Sequence, residues 1–182
     1  YEMIRKAILE EKWSDIPGLL TPDGSLEKWV GDRASISSEG KMSIDGRELP
    51  NSLKERINSM ITKGEDPAPF FRFWERLLKN PSWRSVEQLW PFLANSGIPI
   101  TKDGCFLAYK GVRHDLKDQH SGTVSNVPGV INELPRNQIS DDPNVACHFG
   151  FHVGALSYAR GFAARVVVCK VDPSDVVCIP YD

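Results

Sequence analysis

The feature that most constrains this chain is a change of texture near Gly97. Before it, apolar residues recur at helical spacing; after it, short apolar runs alternate with Gly, Pro, Asn and Asp. The pattern predicts an α+β protein: a helical N-terminal half (1–97) carrying a small β-hairpin at about 34–49, packed on a compact β-rich half (98–182) with a polar pocket. The second half has about 85 residues, a size at which a lone core is marginal. The helices are therefore expected to pack on the C-terminal sheet, and a fragment starting at Ile98 is expected to be unstable.

In the first half, Ile4 to Lys12 reads as a short helix, and Ile36, Met42 and Ile44 alternate with polar residues around Glu39-Gly40 as a hairpin does. Three helices follow. The first places Leu53, Ile57, Met60 and Ile61 on one face and stops at Gly64. In the second, Asp66 is the expected N-cap and Pro67 the first helical residue, ahead of Phe70, Phe71, Trp74, Leu77 and Leu78. The third follows Asn80-Pro81-Ser82 and carries Trp83, Val86, Leu89, Trp90 and Leu93. Pro91 lies inside it and predicts a kink or an early break, because proline removes a backbone donor. The aromatic stripe has the spacing of a core face, and nothing catalytic stands out here.

Cys105 to Val112 reads as a mostly buried strand. Ala155 to Ala163 reads as a two-turn helix, Arg165 to Val171 as a β-branched strand and Val176 to Ile179 as a last strand after an Asp172-Pro173-Ser174-Asp175 turn. Between the first strand and the helix lies a polar stretch, His114 to Asn144. A loop that long inside a domain usually carries function, so the site is sought there first.

Composition narrows the classes. Twenty-two Lys and Arg against 24 Asp and Glu leave a net charge of −2, with no global basic field for nucleic acid. Lys54-Glu55-Arg56 and the stretch Arg72 to Lys79 mix charges, as solvated helix faces do. No apolar run approaches the ~20 residues of a membrane helix, and no signal peptide opens the chain. The missing initiator Met and the abrupt end at Pro180-Tyr181-Asp182 read as a piece of a longer protein. Cys105, Cys147, Cys169 and Cys178 have no paired short spacing, which fits free thiols in a reducing cytoplasm better than a disulfide scaffold. Three of them, Cys105, Cys169 and Cys178, sit in apolar strands as small core residues.

The densest reactive cluster is Cys147-His148-Phe149-Gly150-Phe151-His152. A thiol near an imidazole is a nucleophile with its base. In a strand, sequence neighbours point to opposite faces, so His152 or His120 is a better partner for Cys147 than His148. The catalytic candidates are thus His120, Cys147 and His152, and the plainer reading of Cys147 is a structural thiol. By ligand type the same three could hold zinc, but they lack knuckle spacing, so no metal site is assigned. His120-Ser121-Gly122 follows Asp115 and Asp118; a carboxylate near His120 would raise its pKa and fix its tautomer. Arg136 is a candidate anion fork, with a surface ion pair to Asp141 or Asp142 as the plain alternative. The pocket is expected to be lined by His120, Ser121, Asn126, Arg136, Cys147 and His152.

Two resemblances follow from these residues. Asn80-Pro81-Ser82-Trp83-Arg84-Ser85, Leu89-Trp90-Pro91-Phe92-Leu93 and the run Ile98 to Lys110 resemble the rIIB-like proteins of tailed phages. The resemblance continues through His120-Ser121-Gly122, Asn126, Pro128-Gly129, Arg136, Asp141-Asp142-Pro143, Cys147 and Gly150 to Gly154, and ends at the run Val171 to Pro180. It spans about Leu49 to Asp182, with Phe151 standing where members usually have Leu. It implies an early or accessory protein in the cytoplasm of the infected bacterium, tied to rapid lysis and to overcoming host exclusion. It brings no catalytic residue.

The second resemblance is one of layout. The strand ending Tyr109-Lys110-Gly111-Val112-Arg113, then Phe149-Gly150-Phe151-His152, the helix with Tyr158-Ala159 and the strand Val166 to Val171 are similar in order to ADP-ribosyltransferase-like folds. It implies Lys110 or Arg113 as the basic residue holding NAD or a related nucleotide. Where such folds carry a catalytic Glu, this chain offers only Asp172 and Asp175. The leading expectation is therefore a phage accessory protein that binds a small nucleotide ligand, or a host or phage protein partner, and counteracts host defence. The alternatives are an NAD- or nucleotide-acting enzyme and a structural virion component. The ligand-binding candidates are Lys110, Arg113, His120, Ser121, Asn126, Arg136 and His152.

Overall fold

The computed structural model describes residues 2–15, 31–37, 41–145 and 148–181. The α+β class is as the sequence predicts, and the chain divides into two compact units, Tyr1–Arg72 and Phe73–Asp182.

The first unit opens with α1 (Glu2–Leu9) and a small antiparallel sheet of β1 (Ala34–Ile36), β2 (Met42–Ile44) and β3 (Arg47–Glu48). β1 and β2 pair in the register Ala34 to Ile44, the hairpin the alternation predicted; its Glu39-Gly40 turn lies outside the described residues. Met42 and Ile44 are buried while Ser43 between them is not, the period-2 signature of a one-sided sheet. Next, α2 (Asn51–Lys63) buries Leu53, Ile57 and Met60. It ends at Gly64, whose φ of 74° is the left-handed conformation that closes helices at low cost for glycine. In the following helix, α3 (Ala68–Leu77), the Asp66 carboxylate accepts from the Ala68 N–H, as a cap does.

The second unit takes up α3 from Phe73. α4 (Trp83–Asn95) begins at Ser82, whose hydroxyl accepts from the Ser85 N–H. The helix runs through Pro91 to Asn95, so the early break predicted there does not occur. Pro91 and Glu87, the residue whose carbonyl loses its donor, are both exposed, and water can take the vacant acceptor. Phe73 and Trp90 meet with ring centroids 5.9 Å apart inside a core that also includes Leu77, Leu89 and Leu93.

β4 (Phe106–Val112) and β5 (Arg165–Val171) form an antiparallel pair with Phe106 opposite Val171 and Val112 opposite Arg165. Between them in sequence lies α5 (Leu156–Phe162), which packs on the sheet at Gly111. A Cβ there would stand 2.9 Å from the Ala163 Cβ and 3.0 Å from the Ala159 carbonyl oxygen, so only glycine permits the approach.

The last strand predicted at Val176–Ile179 is absent. Its carbonyls are taken by side chains rather than by a ladder. The buried Asn80 donates to Pro173 O (2.9 Å) and Val176 O (2.7 Å), Ser85 to Val177 O (2.9 Å) and Arg136 to Val176 O (3.0 Å). Arg76 joins the clamp through an ion pair with Asp172 and a bond to Asp103 O. Among the described residues, no helix is long and apolar enough to cross a membrane.

A basic, aromatic-walled candidate cleft

Four of the predicted ligand residues come together. Lys110 on β4, His120 and Ser121 in the long loop, and His152 ahead of α5 all line one open cleft of about 660 Å³. Tyr158 and Phe162 of α5 form part of its wall, stacked 12° from parallel at 6.2 Å, and the His120 ring lies 6.1 Å from Phe162. Both aromatics are substantially exposed, as are Phe149 and Phe151 on the segment before His152.

The other predicted residues lie elsewhere. Asn126 and Arg136 line an adjoining, larger hollow, which Lys110 and His152 also border. Asn126 donates to Val124 O and Leu116 O, within its own loop. The Arg136 fork is engaged by Asn80 Oδ1, Val176 O and Ser174 O rather than by Asp141 or Asp142. Arg113 lies against Gly122: a Cβ there would come 2.2 Å from its Nη1. Cys147 falls outside the described residues. Among the described residues, no group of three or more His, Cys, Asp or Glu could hold a metal ion.

The cleft's electrostatics are one-sided. Lys110 is half-buried and donates to His152 O at 3.2 Å. Burial pushes its ammonium below the usual lysine value, partly offset by Cys169 and Asp118. Burial is also the largest effect on His152, and the charges of Lys110, His120 and His148 add to it, holding the imidazole below 6.5. The carboxylate expected near His120 is present as Asp118, but it is committed to its own loop. It accepts from Ser121 N and Oγ (both 2.7 Å), Val124 N (2.9 Å) and Thr123 N (3.1 Å). Burial alone would raise its pKa; these hydrogen bonds outweigh it and hold the carboxyl well below the usual range. Four basic side chains (Lys110, His120, His148 and His152) thus line a cleft whose one carboxylate has its oxygens occupied.

Sequence reading missed a main-chain feature. Leu107 N–H bonds Pro99 O, and Tyr109 exchanges both its bonds with Gly154, so the odd-numbered residues of β4 turn their polar groups away from β5. By the same alternation Gly111 turns its N–H and C=O that way, toward the cleft it lines, and they meet no partner among the described residues. Gly111 is buried, and buried backbone polar groups are nearly always paired, so this pair of groups stands out. Its signal in the sequence is only the alternation of β4 beside a glycine.

Fold and cleft together define an α+β protein with a basic, aromatic-walled cleft in its C-terminal unit. A family model described as Bacteriophage T4 protein rIIB matches residues 35–182. Protein rIIB of Enterobacteria phage T4 is 36% identical over 185 residues, an alignment covering 100% of this chain and 59% of the T4 protein. The chain belongs to the rIIB family of phage proteins. It spans 59% of the length of that relative, and no solved structure matches it.

Proposed function

We propose that this rIIB-family chain is a phage accessory protein that works by binding, takes a ligand or partner at the cleft of Lys110, His120, Ser121 and His152, and acts against host defence in the cytoplasm of the infected bacterium. The observation that carries the binding reading is the convergence of these four residues from three segments, beside one carboxylate that is not free to act as acid or base. The host-defence part rests on family membership alone.

The test is a thermal-shift panel of NAD, ADP-ribose, nucleoside phosphates and cyclic nucleotides, run on wild type and His152→Ala. A ligand at 100 times its dissociation constant adds about 2.7 kcal/mol, a shift of several degrees in a chain of this size. A shift in wild type that the variant loses supports the cleft. A flat panel moves the weight to a protein partner, and turnover of a nucleotide that vanishes in His152→Ala overturns the binding-only reading.

A second reading, an enzyme acting on NAD or a related nucleotide, is supported by Gly111. An adjacent main-chain N–H and C=O match the donor and acceptor of a carboxamide or a nucleobase edge, with Lys110 next to them for an anion. NAD hydrolysis at background for both wild type and Lys110→Met would remove it.

A further inference from the structure

The open main chain on the cleft side of β4 is a single residue wide. Before it, Tyr109 is closed off by its two bonds with Gly154. After it, Val112 pairs toward β5 and the Arg113 N–H is taken by Lys117 O at 2.9 Å. Among the described residues on this side, only Gly111 therefore offers both an N–H and a C=O. An added strand or extended peptide needs a row of such groups at every second residue, and its neighbours here are already used. The window suits one donor and one acceptor carried side by side on a small molecule.

The surroundings narrow that molecule further. A Cβ on Gly111 would lie 3.3 Å from Phe162 Cδ1, so an aromatic ring stands directly beside the residue. Tyr158 stacks on that ring, the His120 ring lies 6.1 Å from it, and both Tyr158 and Phe162 are exposed. Exposed rings of this kind hold a flat partner by stacking. The charges select against a cation: Lys110, His120 and His152 line the cleft, and the oxygens of Asp118 are occupied. Arg113, packed on Gly122 beside Ser121, also meets no acid among the described residues. A volume of about 660 Å³ falls within the roughly 300–1,000 Å³ of small-molecule sites.

We infer, on the reading of the cleft as a binding site, that its ligand is a nucleoside phosphate whose base meets Gly111 edge-on. The Gly111 N–H donates to the base and its C=O accepts from it, the ring stacks on the Phe162 wall, and the phosphate lies toward Lys110 and the imidazoles. Nucleobases carry a donor beside an acceptor on their Watson–Crick edge, which is the complement that one residue of open strand requires.

The test is titration calorimetry of AMP, GMP and UMP on the full chain and on Lys110→Met. Ribose phosphate and the same nucleotides methylated on the Watson–Crick edge are run beside them, and the Gly111 amide is followed by NMR. The expected result is a nucleotide that binds wild type, shifts the Gly111 amide and is weakened by Lys110→Met. Methylating its edge is expected to weaken it about tenfold or more, because buried main-chain groups are then left unpaired. A nucleotide that Lys110→Met weakens but edge methylation does not, with the Gly111 amide unmoved, overturns the base assignment and leaves the cleft as a binding site. Ribose phosphate binding as tightly as the nucleotides does the same. Nucleotide binding that Lys110→Met leaves unchanged lies outside the cleft and overturns both readings. No nucleotide binding at millimolar concentration overturns the nucleotide assignment, and the protein-partner arm then decides whether the cleft binds at all.

Discussion

Two polar clusters in the C-terminal unit hold the same kinds of side chain and treat them in opposite ways. Around the last segment, Arg136, Asn80, Ser85 and Arg76 direct their donors at carbonyls and at Asp172. Around the cleft, Lys110 reaches one carbonyl, and among the described residues His152 has no acidic partner and the buried Gly111 main chain meets no partner on that side. The clamp lies where chain without a ladder must still satisfy its backbone. The cleft lies where a strand edge parts from its neighbour beyond the Tyr109–Gly154 pair. Polar groups needed for stability are satisfied internally, and those left unsatisfied are the ones available to a ligand.

The comparison can be broken most severely by deleting the helices. A fragment starting at Ile98 lacks Arg76, Asn80 and Ser85 and is expected to show no cooperative melt at the full-chain temperature; a cooperative melt there would show that the clamp contributes little. Next, Asn80→Ala strands the Pro173 carbonyl and the Ser82 N–H and leaves Val176 O and Arg136 each with one partner fewer, at a cost of about 3 kcal/mol. In a protein of this size that lowers Tm by roughly 6–12 °C, measurable by calorimetry.

Gly111→Ala forces a methyl group against Ala163 and the Ala159 carbonyl, costing about 1–3 kcal/mol, and narrows the cleft at the same time. Lys110→Met is expected to change stability by no more than about 0.5 kcal/mol while abolishing any shift given by an anionic ligand. Equal loss of stability in Lys110→Met and Asn80→Ala would erase the distinction between the two clusters.

The smallest expected effect is in pH. His152 is neutral at pH 7 because burial and like charges hold it below 6.5. A bound anion offsets those charges and raises its pKa, so binding takes up a proton and tightens as pH falls toward 6. Without ligand the sign reverses. As pH drops below 6.5 the unfolded chain gains a proton that the folded one resists, and stability declines until the folded imidazole also titrates. Titration calorimetry in buffers of different ionisation enthalpy reads the proton uptake directly.

Much of this was legible beforehand where local chemistry decides. The hairpin, the three helices, Ser82 and Asp66 at helix starts, and the β4 and β5 strands follow from periodicity and caps. The residues Lys110, His120, Ser121 and His152 were visible as chemistry-bearing side chains in the long loop and beside it. Two errors share one cause. Of the kink or early break expected at Pro91, the break does not occur in a helix that runs on to Asn95, and Val176–Ile179 was expected to pair as a strand although side chains 40 to 96 residues away take carbonyls of Val176 and Val177. Propensity describes a segment in isolation, and partners distant in sequence override it.

The sequence by itself determined the α+β class, the sites of the strands and helices, and the family, because these depend on spacing along the chain. Only the tertiary structure decided which polar groups are used up. Arg136 and Lys110 are both cations, and nothing in the residues beside either one shows which will be engaged by distant partners. Packing brings Asn80 and the C-terminal carbonyls to one and leaves the other beside an empty strand edge, because hydrogen-bond satisfaction depends on what folding brings within about 3 Å.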